Sequence, residues 1–389
     1  MIEELQVWIT VRSPIDYHGR SRSEESKGLV FLLPSLSLIP TIPTKRKKPP
    51  KTYENQELSG PDYKRERPEK IQKIAPAQAF QEGEPRLYTV SVAIPSSILE
   101  SAPSLELKTI LAGQIARALV IFNVDEIVIY EDKPASSKTN PNLFLARIFQ
   151  YLETPQYLRK ALVPISPDLK FAGLLRPLDV PHHPNRNDKT KYREGVTLEN
   201  ATEATGTVVD VGLYRRARIT PCLQPGVRVT LELPEPLAAV DTKKGQKPIA
   251  AKAVSPKVPR EKAGIYWGYS IRIASSFSRV ITESPYKDGY DYTIGITDRG
   301  GQDLYDGAVQ KLKNFEHMLI AFGGPSGGLQ EAIEADEDLK VGAEDAADLF
   351  DQLLNPNVKC GTRSVRLEES MMMALSVLKP GLNSRGKKE

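Results

Sequence analysis

Between residues 87 and 152 the chain alternates strand-like and helix-like segments, and this alternation is the strongest constraint on its fold. Residues 87–94 are rich in β-favouring side chains in an alternating pattern that ends at Pro95, which predicts a strand. Residues 125–130 predict a second strand, in which apolar residues form an unbroken run. Such runs are typical of parallel strands that helices cover on both faces. The sequence therefore predicts an α/β domain.

Two helices accompany these strands. Ser97 and Glu100 have capping-box spacing, in which side chains satisfy the first free N–H groups of a helix. They predict a helix that continues to about Phe122. The residues predicted for its apolar face are Leu107, Ile110, Leu111, Gln114, Ala118 and Leu119. A loop at 131–140 leads to a second helix at about 141–152.

From about residue 173, basic residues accumulate between short apolar pieces. The pieces at 195–198, 207–211 and 227–233 are separated by Gly and Pro turns, which predicts a small β-barrel. Its basic surface indicates contacts with nucleic-acid phosphates. The candidate RNA-binding residues are Arg193, Arg215, Arg216, Arg218 and Lys262. The alternative is a solvated surface balanced by acidic neighbours such as Asp188 and Glu194.

After this insert the α/β pattern returns. Residues 263–273 and 286–301 predict two strands around a short helix at 274–282. Arg299 stands in the polar loop that ends the second strand, where a ligand could bind, although a salt-bridged loop is the alternative. In the last helix Met371, Leu375 and Leu378 mark one face, and residues 379–381 (Lys-Pro-Gly) predict its end.

Three loops follow one another near the C-terminus. A strand at 317–322 runs directly into four glycines at 323, 324, 327 and 328, which lets the backbone approach a ligand closely. Loops at 355–357 and 360–364 follow, and this succession suggests one pocket. Ordinary surface turns are the alternative.

Several enzyme classes are disfavoured. Cys222 and Cys360 are far apart and have no ligand-spaced partners, and the pair His182-His183 has no second ligand set nearby, so neither a disulfide framework nor a metal site is predicted. Pro325 occupies the position where a G-x-G fingerprint would need its second glycine, and no phosphate-binding P-loop occurs. Hydride transfer and nucleotide hydrolysis are therefore disfavoured.

Residues 1–84 predict a disordered basic extension. The apolar run at 29–39 is short and contains Pro34, so it predicts no membrane span. It begins too far from the start of the sequence, behind a mixed-charge segment, to predict a secretory signal. The basic run at 45–51 predicts either a nuclear-import or nucleic-acid contact or a solvated linker.

A set of segments resembles the eukaryotic SPOUT-domain RNA methyltransferases. They are TVSVAIPSSIL, LAGQIARALVIFNVDEIVIY, ARIFQYLETPQYLRKAL, LKFAGLLRPLDVPHH, REGV, KAGIYWGYSIRIA, SPYKDGYDYTIGITDRG, AFGG and GTRSVRLEESMMMALSVL. The resemblance implies an α/β trefoil-knot domain that binds S-adenosylmethionine, forms a homodimer and carries an inserted OB-like β-barrel. It divides the chain into a SPOUT domain at 85–172 and 262–381, the insert at 173–261 and a basic tail at 382–389.

The resemblance also places a cofactor site on the three C-terminal loops. Carried over position by position, the cofactor-binding residues are Phe322, Gly323, Gly324, Leu354, Asn355, Pro356, Gly361, Thr362, Ser364, Val365 and Arg366. Backbone groups of these loops would satisfy the adenine and ribose, and Phe322 and Leu354 would flank the base.

Methylation of a ring N–H requires a proton acceptor. Glu368 is the candidate, although carboxylates are also favoured in a first helical turn by the helix dipole. Arg299 and Arg366 could hold a phosphate or polarise a base carbonyl. The chain is thus expected to methylate a base in ribosomal RNA, in the nucleus or nucleolus and without membrane or metal. The alternatives are a non-catalytic RNA-binding or chromosome-associated protein that keeps the fold, and a small-molecule enzyme of another α/β class.

Overall fold

The computed structural model describes residues 83–133, 140–198, 206–237, 247–325 and 327–387, with the backbone only at 235–237 and 343. The predictions for the apolar run at 29–39 and the basic run at 45–51 lie outside these residues. All described residues belong to one structural unit.

The described strands are β1 (Thr89–Pro95), β2 (Glu126–Tyr130), β3 (Thr190–Thr197), β4 (Thr207–Asp210), β5 (Ala217–Ile219), β6 (Arg228–Leu237), β7 (Ile249–Ala250), β8 (Lys252–Val254), β9 (Ser270–Ala274), β10 (Tyr292–Ile296), β11 (Gln302–Asp303), β12 (His317–Phe322) and β13 (Gln352–Asn355). The described α-helices are α1 (Leu105–Ile121), α2 (Pro141–Glu153), α3 (Arg159–Leu162), α4 (Val258–Ala263), α5 (Phe277–Thr282), α6 (Gly328–Glu334) and α7 (Leu367–Arg385).

The larger sheet of the described chain has seven strands in the order β11, β13, β10, β12, β1, β2, β9. Every neighbouring pair is parallel. Parallel strands need crossover connections, and α-helices supply them between β1 and β2 and between β12 and β13. The predicted α/β fold with a parallel sheet is confirmed.

Apolar clusters cover both faces of this sheet. Val92 and Ile94 of β1 lie in one cluster with residues of α1, α2 and α7. Ala93, which points the other way, lies in a second cluster with residues of α5 and α6. Successive strand residues face opposite sides, so a strand covered on both faces is apolar throughout. This explains the unbroken apolar run of β2.

Strand β13 lies between β10 and β11, although β10 and β11 follow each other in the chain. Their connection, residues 297–301, therefore passes across the carboxyl end of a strand that comes about fifty residues later. Thr297 N–H donates to the Leu354 carbonyl at 3.0 Å, and Leu304 N–H donates to the Asn355 carbonyl at 3.0 Å. The two bonds hold this connection against both sides of β13.

Short strands between residues 190 and 254 form the second sheet, in the order β7, β5, β4, β3, β6, β8 within the described residues. The two edge strands, β7 and β8, are separated by Ala251 alone. Because one edge of the sheet thus runs straight into the other, the sheet curls nearly into a barrel. Its core contains Val209, Ile219 and Leu231. The predicted boundaries of the insert at 173 and 261 stay predictions.

A buried ionic cluster joins the second sheet to α2. Arg228 of β6 donates to Glu153 at the end of α2 (2.5 Å) and to Glu194 of β3 (2.7 Å). Trp267 Nε1 also donates to Glu194, at 2.5 Å. Burial alone would lower the pKa of the Arg228 guanidinium, but the facing carboxylates outweigh it and raise that pKa. Buried charges are tolerated when they are paired and hydrogen-bonded in this way.

Two helix boundaries differ from the predictions. Ser97 lies in a short 3-10 helix, and α1 is capped instead by Ser104, whose side chain accepts from Leu107 N–H at 3.3 Å. The last helix passes through Pro380 and ends at Arg385. An added Cβ on Gly381 would clash with the Leu312 side chain, so this glycine permits close packing rather than ending the helix.

The predicted apolar face of α1 is partly wrong. Leu111, Ala118 and Leu119 are buried as expected, but Leu107 and Ile110 are 46% and 38% exposed. The face predicted on α7 is confirmed, since Met371, Leu375 and Leu378 are fully buried.

Candidate functional site

The carboxyl ends of β10, β12 and β13 lie side by side at one edge of the larger sheet. Ile296 is in register with Phe322 on one side and with Leu354 on the other. Phe322 and Leu354 are buried in the core, so at this edge they contribute backbone groups. In open α/β sheets ligands bind outside the carboxyl ends of the strands. The fold therefore brings the starts of two predicted cofactor loops together beside the loop that carries Arg299.

The loop after Phe322 is packed too tightly to carry side chains. A Cβ on Gly323 would clash with the backbone nitrogen of Leu329. One on Gly324 would stand 2.6 Å from Asp132 Oδ2 and 2.8 Å from Ser97 Oγ. Gly323 is thus glycine because its own chain folds back on it, whereas Gly324 faces functional groups of other loops.

The loops after β10 and β13 are joined directly. Asn355 Nδ2 donates to the Gly300 carbonyl at 3.0 Å, and Asn355 Oδ1 accepts from Asn357 N–H at 2.8 Å. Pro356 between them is buried. Asn355 and Pro356 therefore fix the second predicted cofactor loop, which follows β13, against the loop that follows β10.

The third predicted cofactor loop is more open. Gly361, Thr362 and Ser364 are exposed and Val365 is partly buried. Thr362 Oγ1 donates to the Ser364 carbonyl at 2.9 Å. Within the described ranges, no hydrogen bond or ion pair joins residues 361–366 to the glycine loop. The roles of these residues in cofactor binding stay predictions.

The catalytic candidates fall in two places. Arg299 lies at the carboxyl edge, where its N–H donates to Thr297 Oγ1 (3.1 Å) and its carbonyl accepts from Gln330 (2.7 Å). Arg366 and Glu368 stand at the start of α7, with Nη1 and Oε1 3.9 Å apart. Glu368 faces a different groove from the glycine loop, so its catalytic role stays a prediction.

That groove runs between α1, α7 and residues 174–179 and has a volume of about 1110 Å³. Its apolar lining includes Ile121, Leu174 and Met372, which are 47%, 54% and 37% exposed. Charged residues of both signs lie along it, namely Arg117, Arg176, Asp179, Glu368 and Glu369. An exposed apolar groove with charged margins is typical of an interaction surface.

Two residues that the sequence analysis did not select lie against the glycine loop. Ser97 follows β1, and Asp132 follows β2. Asp132 Oδ1 accepts from Ser97 N–H at 3.1 Å, and Asp132 Oδ2 accepts from Ser97 Oγ. Their position in the sequence could have identified them, because a polar residue just after a buried parallel strand lies at the ligand-binding edge of the sheet.

One predicted RNA contact is wrong. Arg193 is 1% exposed, and its Nε donates to the Val211 carbonyl at 2.8 Å. Its terminal nitrogens donate to the carbonyls of Pro184 and Asn185 at 3.4 Å. A guanidinium enclosed in this way is not available to a phosphate. The sequence pattern along β3 could not show that Arg193 is buried, because its guanidinium is held by carbonyls outside β3 rather than by its neighbours in the strand.

The other predicted RNA contacts are accessible. Arg216, Arg218 and Lys262 are exposed, and Arg215 is partly buried where it donates to the Lys247 carbonyl at 2.8 Å. Beside them Tyr214 is 50% exposed. The Arg186 guanidinium stacks 4.4 Å from the Tyr214 ring centre. Exposed cations and an aromatic ring together suit a nucleic-acid surface.

The described part of the chain contains neither a metal-binding cluster of side chains nor a membrane-spanning helix. No group of three His, Cys, Asp or Glu side chains is arranged to hold a metal ion there. No described helix is long and apolar enough to cross a membrane.

The chain is similar to known RNA-modifying proteins. The family model described as "Putative RNA methyltransferase" matches residues 89–378. A Mus musculus protein named 28S rRNA (uridine-N(3))-methyltransferase is 44% identical over 324 residues, which cover 80% of each chain. Proteins of the same name from Homo sapiens and Drosophila melanogaster are 44% and 40% identical, over 80% and 77% of this chain and 83% and 63% of theirs.

Proposed function

This chain belongs to the RNA methyltransferase family that its residues 89–378 match, and we propose that it methylates N3 of a uridine in ribosomal RNA, using S-adenosylmethionine as methyl donor. Relatives that carry this activity in their names are 40–44% identical to it over most of its length. The observation that carries the proposal is the alignment of three loop starts at one sheet edge, in register at Ile296.

The residues at this edge fit the methyl donor. The loop after Phe322 has no side chain at Gly323 or Gly324, and the loop after Leu354 is fixed by Asn355. Backbone groups of these loops, together with residues 361–366, would hold the adenosine part. When bound, S-adenosylmethionine supplies an electrophilic methyl group on a positively charged sulfur.

The chain itself must orient the base and take up a proton. Uridine N3 carries a hydrogen, which has to leave as the new N–C bond forms. We assign proton uptake to Glu368 and assign Arg299 and Arg366 to holding a phosphate or a base carbonyl. Glu368 faces the groove beside α1, so this assignment requires the target base to enter from that side.

We further assign a trefoil knot to the C-terminal half. The support is that β13 lies between β10 and β11, whose connection crosses its carboxyl end. A strand that passes beneath an earlier connection, and then continues into a nineteen-residue helix, has the threading that a knot requires. Threaded topologies are rare, and this one places two of the three proposed cofactor loops together.

The second sheet is assigned as an OB-like RNA-binding barrel. Its near closure through β7 and β8 supports the fold, and exposed Arg216 and Arg218 beside Tyr214 support the function. Binding that relies on phosphate contacts weakens as salt rises.

A homodimer is assigned to the groove between α1 and α7. A twofold interface presents the same patch from both copies, so Arg117 and Arg176 of one copy could face Glu369 of the other around apolar Met372, which leaves Glu368 for the target base. Light scattering after size exclusion tests this: the natural chain should be a dimer, and Met372→Glu should be a monomer. A monomeric natural chain would contradict it.

Nuclear or nucleolar localisation is part of the proposal. It is supported by the ribosomal-RNA names of the relatives and by the basic run at 45–51. Imaging of a tagged chain with and without this run would test it.

The proposed activity is tested by incubating the chain with methyl-labelled S-adenosylmethionine and total RNA. Label should enter RNA, and Gly324→Leu, which crowds Ser97 and Asp132, should abolish its transfer. Gly342→Leu is a matched control on stability, since Gly342 lies outside the proposed cofactor loops and its added Cβ would meet only Asp345 Oδ2, at 3.9 Å. RNA binding without label incorporation would favour a non-catalytic binding protein instead.

A further inference from the structure

Asp132 is held in one position against the glycine loop. Its two carboxylate oxygens accept from the N–H and the hydroxyl of Ser97. Strand β1, which leads to Ser97, lies between β2, which leads to Asp132, and β12, which leads to Gly324. Because Oδ2 stands 2.6 Å from the Cβ position of Gly324, the carboxylate touches the backbone of the proposed cofactor loop.

The negative charge of Asp132 has no ion-pair partner among the described residues. Lys133 next to it pairs with Glu331 instead, at 3.7 Å. At the other end of the loop, Asp298 Oδ1 stands 2.9 Å from the Cβ position of Gly328. The loop at 323–328 is therefore flanked by a carboxylate at each end.

We propose that Asp132 is a specificity-determining residue that favours S-adenosylmethionine over S-adenosylhomocysteine. The inference rests on the proposed function. The methyl donor has a positively charged sulfonium, whereas its demethylated product has a neutral thioether at the same sulfur. A fixed carboxylate attracts the additional positive charge, and this attraction is stronger at a partly buried site than in bulk water.

The negative charge of Asp132 would also link methyl transfer to product release. Transfer of the methyl group removes the positive charge from sulfur, so the attraction to Asp132 ends when the reaction is complete. The product then leaves a site that binds the next donor molecule more tightly than the spent one.

Isothermal titration calorimetry of the full chain with each molecule tests the proposal. Asp132→Asn keeps an oxygen for Ser97 N–H and removes the charge. Asp351→Asn is the matched control, because Asp351 accepts from the N–H (2.9 Å) and hydroxyl (3.3 Å) of Thr293 at the opposite edge of the sheet.

We expect Asp132→Asn to weaken S-adenosylmethionine binding about tenfold and to change S-adenosylhomocysteine binding by less than about twofold. Asp351→Asn should change neither. An equal loss for both molecules, or no loss for either, would overturn the assignment.

The natural chain provides a second measurement that does not depend on a variant folding. Rising salt screens charge attraction, so it should weaken the donor more than the product. Equal salt dependence of the two affinities would refute the role of Asp132 while leaving the proposed function intact. If the natural chain bound neither molecule, the proposed methyl donor itself would be wrong.

Discussion

At the residue scale, neighbouring glycines have different tasks. Gly323 is required by the fold, because its added Cβ would meet the backbone of Leu329, which cannot move aside. Gly324 is constrained by side chains of other loops, because its added Cβ would meet the ends of Ser97 and Asp132. The sequence predicted close backbone approach at both positions but could not distinguish a protein neighbour from a ligand.

This difference predicts separable effects of alanine. Gly323→Ala should lower the free energy of unfolding by about 1–3 kcal/mol or more, as overpacking does. Gly324→Ala should cost less stability, because side-chain ends can shift, and should mainly weaken binding of S-adenosylmethionine. Urea unfolding and calorimetric titration would measure the two. Equal stability losses in the two variants, or a larger binding loss from Gly323→Ala in folded protein, would contradict these separate roles of Gly323 and Gly324.

Arg193 and Arg218 form a second contrasting pair. Arg193→Ala should lower the free energy of unfolding by about 2–4 kcal/mol, since it leaves buried carbonyls without donors. Arg218→Ala at an exposed position should change stability by less than about 0.5 kcal/mol. It should instead lower RNA affinity and reduce the slope of log affinity against log salt by about one.

Filter binding to ribosomal RNA across a salt series, combined with thermal unfolding, measures both effects. An unchanged salt slope in Arg218→Ala would remove this residue from the RNA surface. A stable Arg193→Ala variant with weakened RNA binding would restore the prediction that the structure contradicts.

At the element scale, the strands and helices that one sheet buries were predictable from their local pattern. β12 occupies residues 317–322 as expected, and the buried face of α7 is the predicted one. The start of α1 was not predictable in this way, because the Ser97 hydroxyl donates to Asp132 instead of capping α1. The end of α7 was missed because Gly381 packs against Leu312, a contact distant in sequence.

The junction between α2 and the insert predicts a dependence of stability on pH. Burial, and then the nearby His182, lowers the pKa of His183 well below its ordinary value. His183 Nε2 lies 2.6 Å from the Glu153 carbonyl. Its unfolded form takes up a proton near pH 6.5, whereas the folded form resists protonation, so this stabilisation is complete above that pH and is lost as the pH falls.

His183→Gln keeps a donor for the Glu153 carbonyl and removes the titration. Between pH 6.5 and pH 5.5 the variant should lose less free energy of unfolding than the natural chain, by up to about 1 kcal/mol. Urea unfolding at the two pH values measures this difference. Parallel losses in both proteins would show that His183 does not contribute.

At the scale of the whole molecule, local sequence patterns could not predict the order of the strands in the larger sheet. Periodicity predicted β10 but neither β11 nor β13, and it could not show that a later strand lies between two earlier ones, because this depends on contacts about fifty residues apart such as Thr297 with Leu354. The same holds for the groove between α1 and α7, which Ile110 lines although the sequence predicted it on the buried face of α1. The insert was predictable as a barrel of short strands, but its ionic junction at Arg228 was not.

The most direct test of the proposed function is to identify the atom that is methylated. Ribosomal RNA treated with the natural chain and deuterium-methyl S-adenosylmethionine would be digested to nucleosides and analysed by mass spectrometry against synthetic standards. The account predicts labelled N3-methyluridine, and its loss in Gly324→Leu. Label confined to a ribose hydroxyl or to another base, or no label at all, would contradict it.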